Sequence, residues 1–134
     1  MLKPGELLKA FEPLAAETLK ELLGQVSVIE ATEVERGVQR EHREIDILAH
    51  VTVAGRRHAL VCEVKANGQP RHVRMAVLQL RNYLAHYGAD ATPVFIAPYL
   101  SPEAQALCRE QGVGFLDLEG NVRLVFDGVF MSAR

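Results

Sequence analysis

The sequence predicts an α/β fold in which one mixed β-sheet carries helices on both faces. Segments rich in β-branched residues alternate with amphipathic segments of helical period. One later segment is short and fully apolar, as in a buried central strand. With 134 residues, of which 49% are apolar and 24% charged, the chain has the size and composition of one globular domain. We therefore expect a single domain over residues 1–134, and the sequence leaves open whether it belongs to a longer protein.

The first predicted element is a helix from about Glu6 to Leu23, closed by Gly24. Pro13 allows a shorter alternative, because proline is favoured at the first helical position and the helix would then begin there. The apolar residues that recur at helical spacing are Leu7, Leu8, Phe11, Leu14, Ala15, Thr18 and Leu22.

A β-hairpin is predicted next. The segment 26–34 is rich in β-branched residues and predicts a strand, and the charged segment 35–43 predicts a loop or the end of that strand. Two further apolar runs, Glu44–Val53 and His58–Lys65, flank a short break that contains Gly55. They are the two strands of the hairpin.

The rest of the chain predicts two helices and three strands. A helix is expected from about Arg71 to Tyr87, with Val73, Ala76, Val77, Leu80, Leu84 and Tyr87 as its buried stripe. The apolar strand covers residues 93–97. Ser101 and Pro102 are typical of a helix start, and Gly112 ends that helix. Strands 113–118 and 122–126 flank the turn residues Glu119, Gly120 and Asn121 and form a second hairpin.

The charged end of the first hairpin is a candidate site. A two-residue turn places Asp46 opposite Glu63, whereas a four-residue turn places Asp46 opposite Lys65. In either register Glu44, Asp46, Glu63 and Lys65 share one face, because side chains alternate with period two. Opposed Cβ atoms lie roughly 4.5–5.5 Å apart. Carboxylates held that close repel each other and lose hydration unless a cation or a proton lies between them.

Charge is distributed unevenly along the chain. The net charge is -2, yet residues 36–89 carry nine basic and four acidic residues, which gives +5, whereas the segments before and after are negative. Three of those four acids, Glu44, Asp46 and Glu63, belong to the candidate site. A basic surface around a metal-binding carboxylate pair suits a polyanion.

These features together resemble the PD-(D/E)XK, or restriction-endonuclease-like, nuclease superfamily. The resemblance rests on Asp46, on Glu63-Val64-Lys65, and on a following helix with Gln79 and Tyr83 four residues apart, and it covers about residues 6–97. It implies an αβββαβ core, here extended by a C-terminal helix and β-hairpin. It also implies a DNA endonuclease that depends on Mg²⁺ or Mn²⁺. A homodimer is compatible with that activity, since cutting both strands usually uses two active sites.

The resemblance assigns a role to each candidate residue. Asp46, Glu63 and the backbone carbonyl of Val64 would bind the metal, Lys65 would be the catalytic lysine, and Gln79 would assist from the helix. Glu17 or Glu21 is the candidate for an additional helical acid. The residues expected to contact DNA are Arg43, Arg71, Arg74, Arg81 and Tyr83.

Two alternatives remain beside this hypothesis. In the first, Asp46 and Lys65 form a structural cross-strand ion pair, with Glu63 held by an arginine. In the second, the domain is catalytically silent and binds nucleic acid or a protein partner. No apolar run approaches the roughly 20 residues of a membrane span, and the start lacks a signal-peptide pattern, so we expect a cytoplasmic protein. Cys62 and Cys108 match no metal or redox motif and are expected to be reduced thiols.

Overall fold

A computed structural model describes residues 3–40, 43–85 and 90–133. The elements are α1 (Pro4–Gly24), β1 (Ile29–Arg40), β2 (Arg43–Val53), β3 (Arg56–Val64), α2 (Pro70–Leu84), β4 (Ala91–Ile96), α3 (Pro102–Glu110), β5 (Gly114–Leu116), β6 (Val122–Phe126) and β7 (Val129–Ala133). The mixed α/β fold and the αβββαβ order of its first six elements agree with the prediction. None of the helices in the described part of the chain combines the length and the hydropathy that a membrane span requires.

The seven strands form one sheet in chain order. Strands β1 to β3 are antiparallel, β3 to β5 are parallel, and β5 to β7 are antiparallel again. Helix α1 packs on one face, where Leu19, Ile47 and Leu60 belong to one core, and α2 and α3 pack on the other, where Leu80 and Phe95 belong to a second core. The sheet is therefore covered on both faces, as expected from its apolar central strands.

The sequence allowed a two-residue or a four-residue turn in the first hairpin, and the structure has the two-residue turn. Val53 pairs with Arg56, and Ala54 and Gly55 both have positive φ angles, of 52° and 75°. Two consecutive positive φ angles are the mark of the type I′ turn, whose twist matches that of the strands it joins. This register places Asp46 at the position opposite Glu63 on the neighbouring strand, and not opposite Lys65.

Several element boundaries differ from the prediction. Helix α1 is continuous through Pro13, so the shorter alternative is wrong. Its buried stripe is Phe11, Ala15, Leu19 and Leu23, whereas Leu7 and Leu14 are exposed. Strand β1 continues to Arg40 through the charged segment predicted as a loop or strand end. An edge strand has one unpaired side and tolerates such charges.

Two further differences concern α2 and the C-terminal strands. Helix α2 ends at Leu84, and Tyr87, predicted to be in its buried stripe, lies outside the described residues. The hairpin of β5 and β6 is confirmed, but a third strand, β7, follows it through a second tight turn at Asp127-Gly128. Asp-Gly is a strong hairpin signal that the sequence prediction did not use.

Candidate active site

Asp46, Glu63 and Lys65 come together at the end of the first hairpin that lies away from its turn. The pairing of β2 with β3 runs from Val53–Arg56 to Ile47–Cys62. Beyond this last pair, the amide of Val64 donates a hydrogen bond of 2.8 Å to Oδ2 of Asp46. The carboxylate of Asp46 thus binds to the end of β3 directly and is fixed beside Glu63.

Glu63 and Lys65 form an ion pair at this position. Lys65 Nζ lies 3.2 Å from Glu63 Oε1, and the side chain of Glu63 is 7% exposed against 26% for Lys65. The structural alternative of a pair between Asp46 and Lys65, with Glu63 held by an arginine, is not the arrangement found. The backbone amide of Lys65 donates to the carbonyl of Ile96 on β4, which fixes where the lysine leaves the sheet.

The electrostatics of the site disfavour two ionised carboxylates. Burial raises the pKa of Glu63 to about 7, the nearby charge of Asp46 acts in the same direction, and Lys65 opposes both. Burial also raises the pKa of Asp46, against the hydrogen bond from Val64 and the charge of Lys65. The charge of Lys65 therefore does not compensate fully for the buried Glu63 and the half-buried Asp46. This is the condition under which a site takes up a further proton or a cation.

The acid of α1 that interacts with this pair is Glu12. Its pKa is raised by burial first, and then by the charges of Asp46 and Glu44. Glu17 and Glu21, the acids proposed from sequence, are exposed. At 100° per residue they lie about 140° and 180° around the helix from Glu12, so they face elsewhere. Glu12 was missed because Pro13 made the helix start ambiguous, although its position one turn before the partly buried Ala16 was the available signal.

The described residues offer two carboxylates and a backbone carbonyl to a metal ion. No group of three or more His, Cys, Asp or Glu side chains is gathered as a metal site within residues 3–40, 43–85 and 90–133. A pair of carboxylates is nevertheless the protein share of a typical Mg²⁺ site, in which waters and substrate phosphate supply the other oxygens. Asp46, Glu63 and the carbonyl of Val64 fit such a set by their chemistry.

Tyr83 connects α2 to the site from the face of the sheet that lies opposite α1. Its hydroxyl donates a hydrogen bond of 2.8 Å to the carbonyl of Glu44, and its ring is buried. Burial raises the pKa of Tyr83, and the charges of Glu63 and Asp46 add to this effect. Tyr83 was predicted as a DNA contact, and the structure places it in the buried stripe of α2, with its hydroxyl bound to the Glu44 carbonyl. Gln79, one turn earlier on the same helix, is exposed.

The arginines predicted to contact phosphate lie in different places. Arg43 is exposed at the start of β2, and its charge lowers the pKa of Tyr83, which places it beside the site. Arg74 and Arg81 instead line a hollow between α2 and α3, and the guanidinium of Arg81 donates to the side chain of Gln111. Arg71 is exposed at the first turn of α2. Arg43 therefore lies near Tyr83, whereas Arg74 and Arg81 lie at the hollow between α2 and α3.

The two cysteines lie in the cores. Both thiols are free and buried, Cys62 in the core under α1 and Cys108 in the core under α2 and α3. The two thiols are thus unpaired with each other, as expected for reduced cysteines.

Comparison with solved structures relates this fold to repair endonucleases. One similar structure is EndoMS in a complex with double-stranded DNA, with a TM-score of 0.53 and 21% identity over 77% of this chain and 43% of that one. Another is a repair endonuclease from Pyrococcus abyssi, with a TM-score of 0.53 and 21% identity over 77% of this chain and 46% of that one. The chain thus matches less than half the length of either protein. At this identity the likeness establishes the fold. No protein-family model matches the sequence, and no curated protein matches it significantly.

Proposed function

We propose that the chain is a divalent-metal-dependent endonuclease of the PD-(D/E)XK type that hydrolyses phosphodiester bonds in DNA. The observation that carries the proposal is the pair of carboxylates formed by the half-buried Asp46 and the buried Glu63, both with raised pKa values, with Lys65 in contact with Glu63. The folds of EndoMS and of the Pyrococcus abyssi enzyme support it, since both are endonucleases. The excess of basic residues in segment 36–89 suits a DNA partner.

Each residue has a role in this proposal. Asp46, Glu63 and the carbonyl of Val64 would hold Mg²⁺ or Mn²⁺, and such an ion, when bound, would supply polarisation of the phosphate and a lowered pKa of water. The hydrogen bond from the Val64 amide keeps Oδ2 of Asp46 in place. Lys65, which leaves the sheet beside Glu63, orients the attacking water or stabilises developing negative charge on the phosphate. Arg43 is the basic residue best placed to hold the phosphate backbone.

A second function is a catalytically silent domain that binds DNA or a protein partner. The direct ion pair between Glu63 and Lys65 favours it, because that contact partly neutralises Glu63 without any metal. The two functions differ in their response to metal. A silent domain binds its partner equally well with a chelator present and is not stabilised by Mg²⁺.

The test is nicking of supercoiled plasmid DNA with Mg²⁺ or Mn²⁺. We expect Asp46→Ala and Lys65→Ala each to reduce the rate by about 100-fold or more, the scale typical of a lost electrostatic or acid–base group. Asp90→Ala and Lys20→Ala are matched controls, because both residues are exposed and lie outside β2 and β3, and they should cut at the wild-type rate. Nicking that survives both site substitutions would refute the proposal.

Metal binding is measured separately from cleavage. A ligand that binds the folded state raises its stability by RT ln(1 + [L]/Kd), so Mg²⁺ should raise the melting temperature of the wild type. Asp46→Ala should lose most of that increase, and Asp90→Ala should keep it. A wild-type melting temperature that does not respond to Mg²⁺ or Mn²⁺ favours the silent domain.

A further inference from the structure

Two loops leave the sheet side by side next to Lys65. One joins β3 to α2 and covers residues 65–69, and the other joins β4 to α3 and covers residues 97–101. The Lys65 amide binds the Ile96 carbonyl at 2.9 Å, and Gly68 forms a parallel β-bridge with Leu100. The exposed aromatic residue Tyr99 lies in the second loop, between these fastened points.

The backbone around Tyr99 is held from several directions. The buried carboxylate of Asp117 accepts a hydrogen bond of 2.9 Å from the amide of Leu100. The carbonyl of Leu100 accepts one from the side chain of Gln105, also at 2.9 Å, and the carbonyl of Pro98 accepts one of 3.1 Å from the amide of Leu118. This loop is therefore fixed in place, although 52% of Tyr99 is exposed.

Gly68 shows how closely the two loops approach. A Cβ atom at this position would lie 2.0 Å from the carbonyl oxygen of Tyr99, which no side chain permits. Only glycine allows the backbone of the first loop to come this near. The position of Tyr99 relative to the loop that follows Lys65 is thus fixed by the backbone itself.

A hollow of about 330 Å³ opens between the loops, at the lower end of the volumes typical of small-ligand sites. Residues 66–69, Pro98, Tyr99 and Ser101 line it. None of these lining residues carries a charge, so the hollow offers nothing that matches a phosphate group. It offers an aromatic ring, a proline ring and the amide side chains of Asn67 and Gln69. Those are the groups that stack on a nucleobase and hydrogen-bond to its edge.

The hollow lies within a few nucleotides of the proposed cleavage position. Tyr99 is three residues beyond Ile96, whose carbonyl binds the amide of Lys65, so its Cα lies at most about 11 Å from that of Ile96. Bases follow one another at about 3.4 Å along one strand of a duplex. A strand whose phosphate sits at Lys65 can therefore place a nearby base on Tyr99.

We propose that Tyr99 is a stacking platform for an unpaired base next to the cut phosphate, so that the substrate class is DNA with unpaired bases at the cleavage position. This inference rests on the proposed function, since it takes DNA as the ligand. In a duplex the faces of each base are covered by its neighbours, and stacking on a side chain requires an unpaired or displaced base. Tyr99 therefore distinguishes single-stranded from paired DNA.

The test measures binding of a short single strand and of the matching duplex, by fluorescence anisotropy with a chelator present so that nothing is cut. Tyr99→Ala should weaken single-strand binding by about 5- to 150-fold, the range of base–aromatic stacking, and should leave duplex binding unchanged. Tyr99→Phe should stay within about threefold of wild type. Phe130→Ala is the matched control, because Phe130 is an exposed aromatic on β7, and it should bind as wild type does.

A second variant and a second signal guard against a loss of structure. Tyr99→Leu keeps an apolar side chain in the loop without the aromatic face and should bind single strands as weakly as Tyr99→Ala. A 2-aminopurine base near the cut position should be quenched by the wild type and by Tyr99→Phe but not by Tyr99→Leu. Quenching by Tyr99→Leu equal to that of the wild type overturns the proposal.

The outcomes separate this inference from the proposed nuclease function. Plasmid or oligonucleotide cleavage that requires Asp46, together with unchanged single-strand binding by Tyr99→Ala, overturns the stacking role and leaves the nuclease function intact. Single-strand binding that depends on Tyr99 in a chain that cuts nothing supports the stacking role and overturns the nuclease function. Equal weakening of duplex and single-strand binding also overturns the stacking role.

Discussion

Replacing Glu63 by glutamine tests whether the two carboxylates strain the metal-free protein. Glu63 is 5% exposed, and burial raises its pKa to about 7 from the ordinary value of 4.5 for a glutamate. At pH 5 the folded protein already holds Glu63 largely protonated, and glutamine is nearly isosteric with that form. We therefore expect the free energies of unfolding of wild type and Glu63→Gln at pH 5 to agree within about 0.5 kcal/mol.

The difference should develop as the pH rises. Between 4.5 and about 7 the folded wild type retains a proton on Glu63 that the unfolded chain has released, so its stability falls with pH across that window and levels off above it. At 1.36 kcal/mol per unit, the full shift corresponds to about 3 kcal/mol, most of which is lost between pH 5 and pH 8. Asp46 also has a raised pKa and adds a loss of the same sign. Glu63→Gln removes the first contribution and, by removing a neighbouring charge, part of the second.

Urea unfolding at pH 5, 6, 7 and 8 with a chelator measures these free energies. Glu110→Gln, on the exposed surface of α3, is the matched control and should follow the wild-type pH dependence. Glu63→Gln should be more stable than wild type at pH 8 by about 2 kcal/mol. If Glu63→Gln instead runs parallel to wild type, or is less stable at pH 8, the ion pair with Lys65 outweighs burial and the reasoning is refuted.

Two further substitutions test contacts that shape the site. Tyr83→Phe removes the hydrogen bond to the Glu44 carbonyl and should lower the free energy of unfolding by about 1 kcal/mol; an unchanged urea midpoint would show that this bond does not hold α2 to β2. Gly68→Ala should cost about 1–3 kcal/mol, because its Cβ would overlap the Tyr99 carbonyl. Gly24→Ala, where the added Cβ has open space, should unfold like wild type, and equal stability of both variants would contradict the close approach of the two loops.

The arrangement of Asp46 and Glu63 could be predicted from sequence because it depends on local rules. Strand alternation and a two-residue turn determine which residues lie opposite each other on the two strands. The positive φ angles of Ala54 and Gly55 agree with that turn. The sequence allowed a longer turn as well. It could not decide between the two, since the arginines after Gly55 suit a turn as well as a strand.

The contributions of the helices were harder to predict because they depend on rotation about each helix axis. Glu12 faces Asp46 and Glu17 does not, yet both lie near the apolar stripe as it is read from sequence. Burial at Leu19 and Leu23 shows that the stripe is rotated from the predicted one, which had included Leu14 and Thr18. A rotation of one residue, about 100°, is enough to exchange one acid for another. Periodicity predicts reliably that one face of a helix is buried. It predicts less reliably which residues lie at the border of that face.

The site occupies the position where the two cores of the protein meet. Glu12 approaches Asp46 from the face covered by α1, and Tyr83 approaches from the face covered by α2. Between them the amide of Val64 at the end of β3 binds the carboxylate of Asp46. Because groups from both faces act on the same two carboxylates, a cation bound there would reduce repulsion that reaches both helices. Metal binding should therefore stabilise the packing of α1 and of α2 together, and not one helix alone.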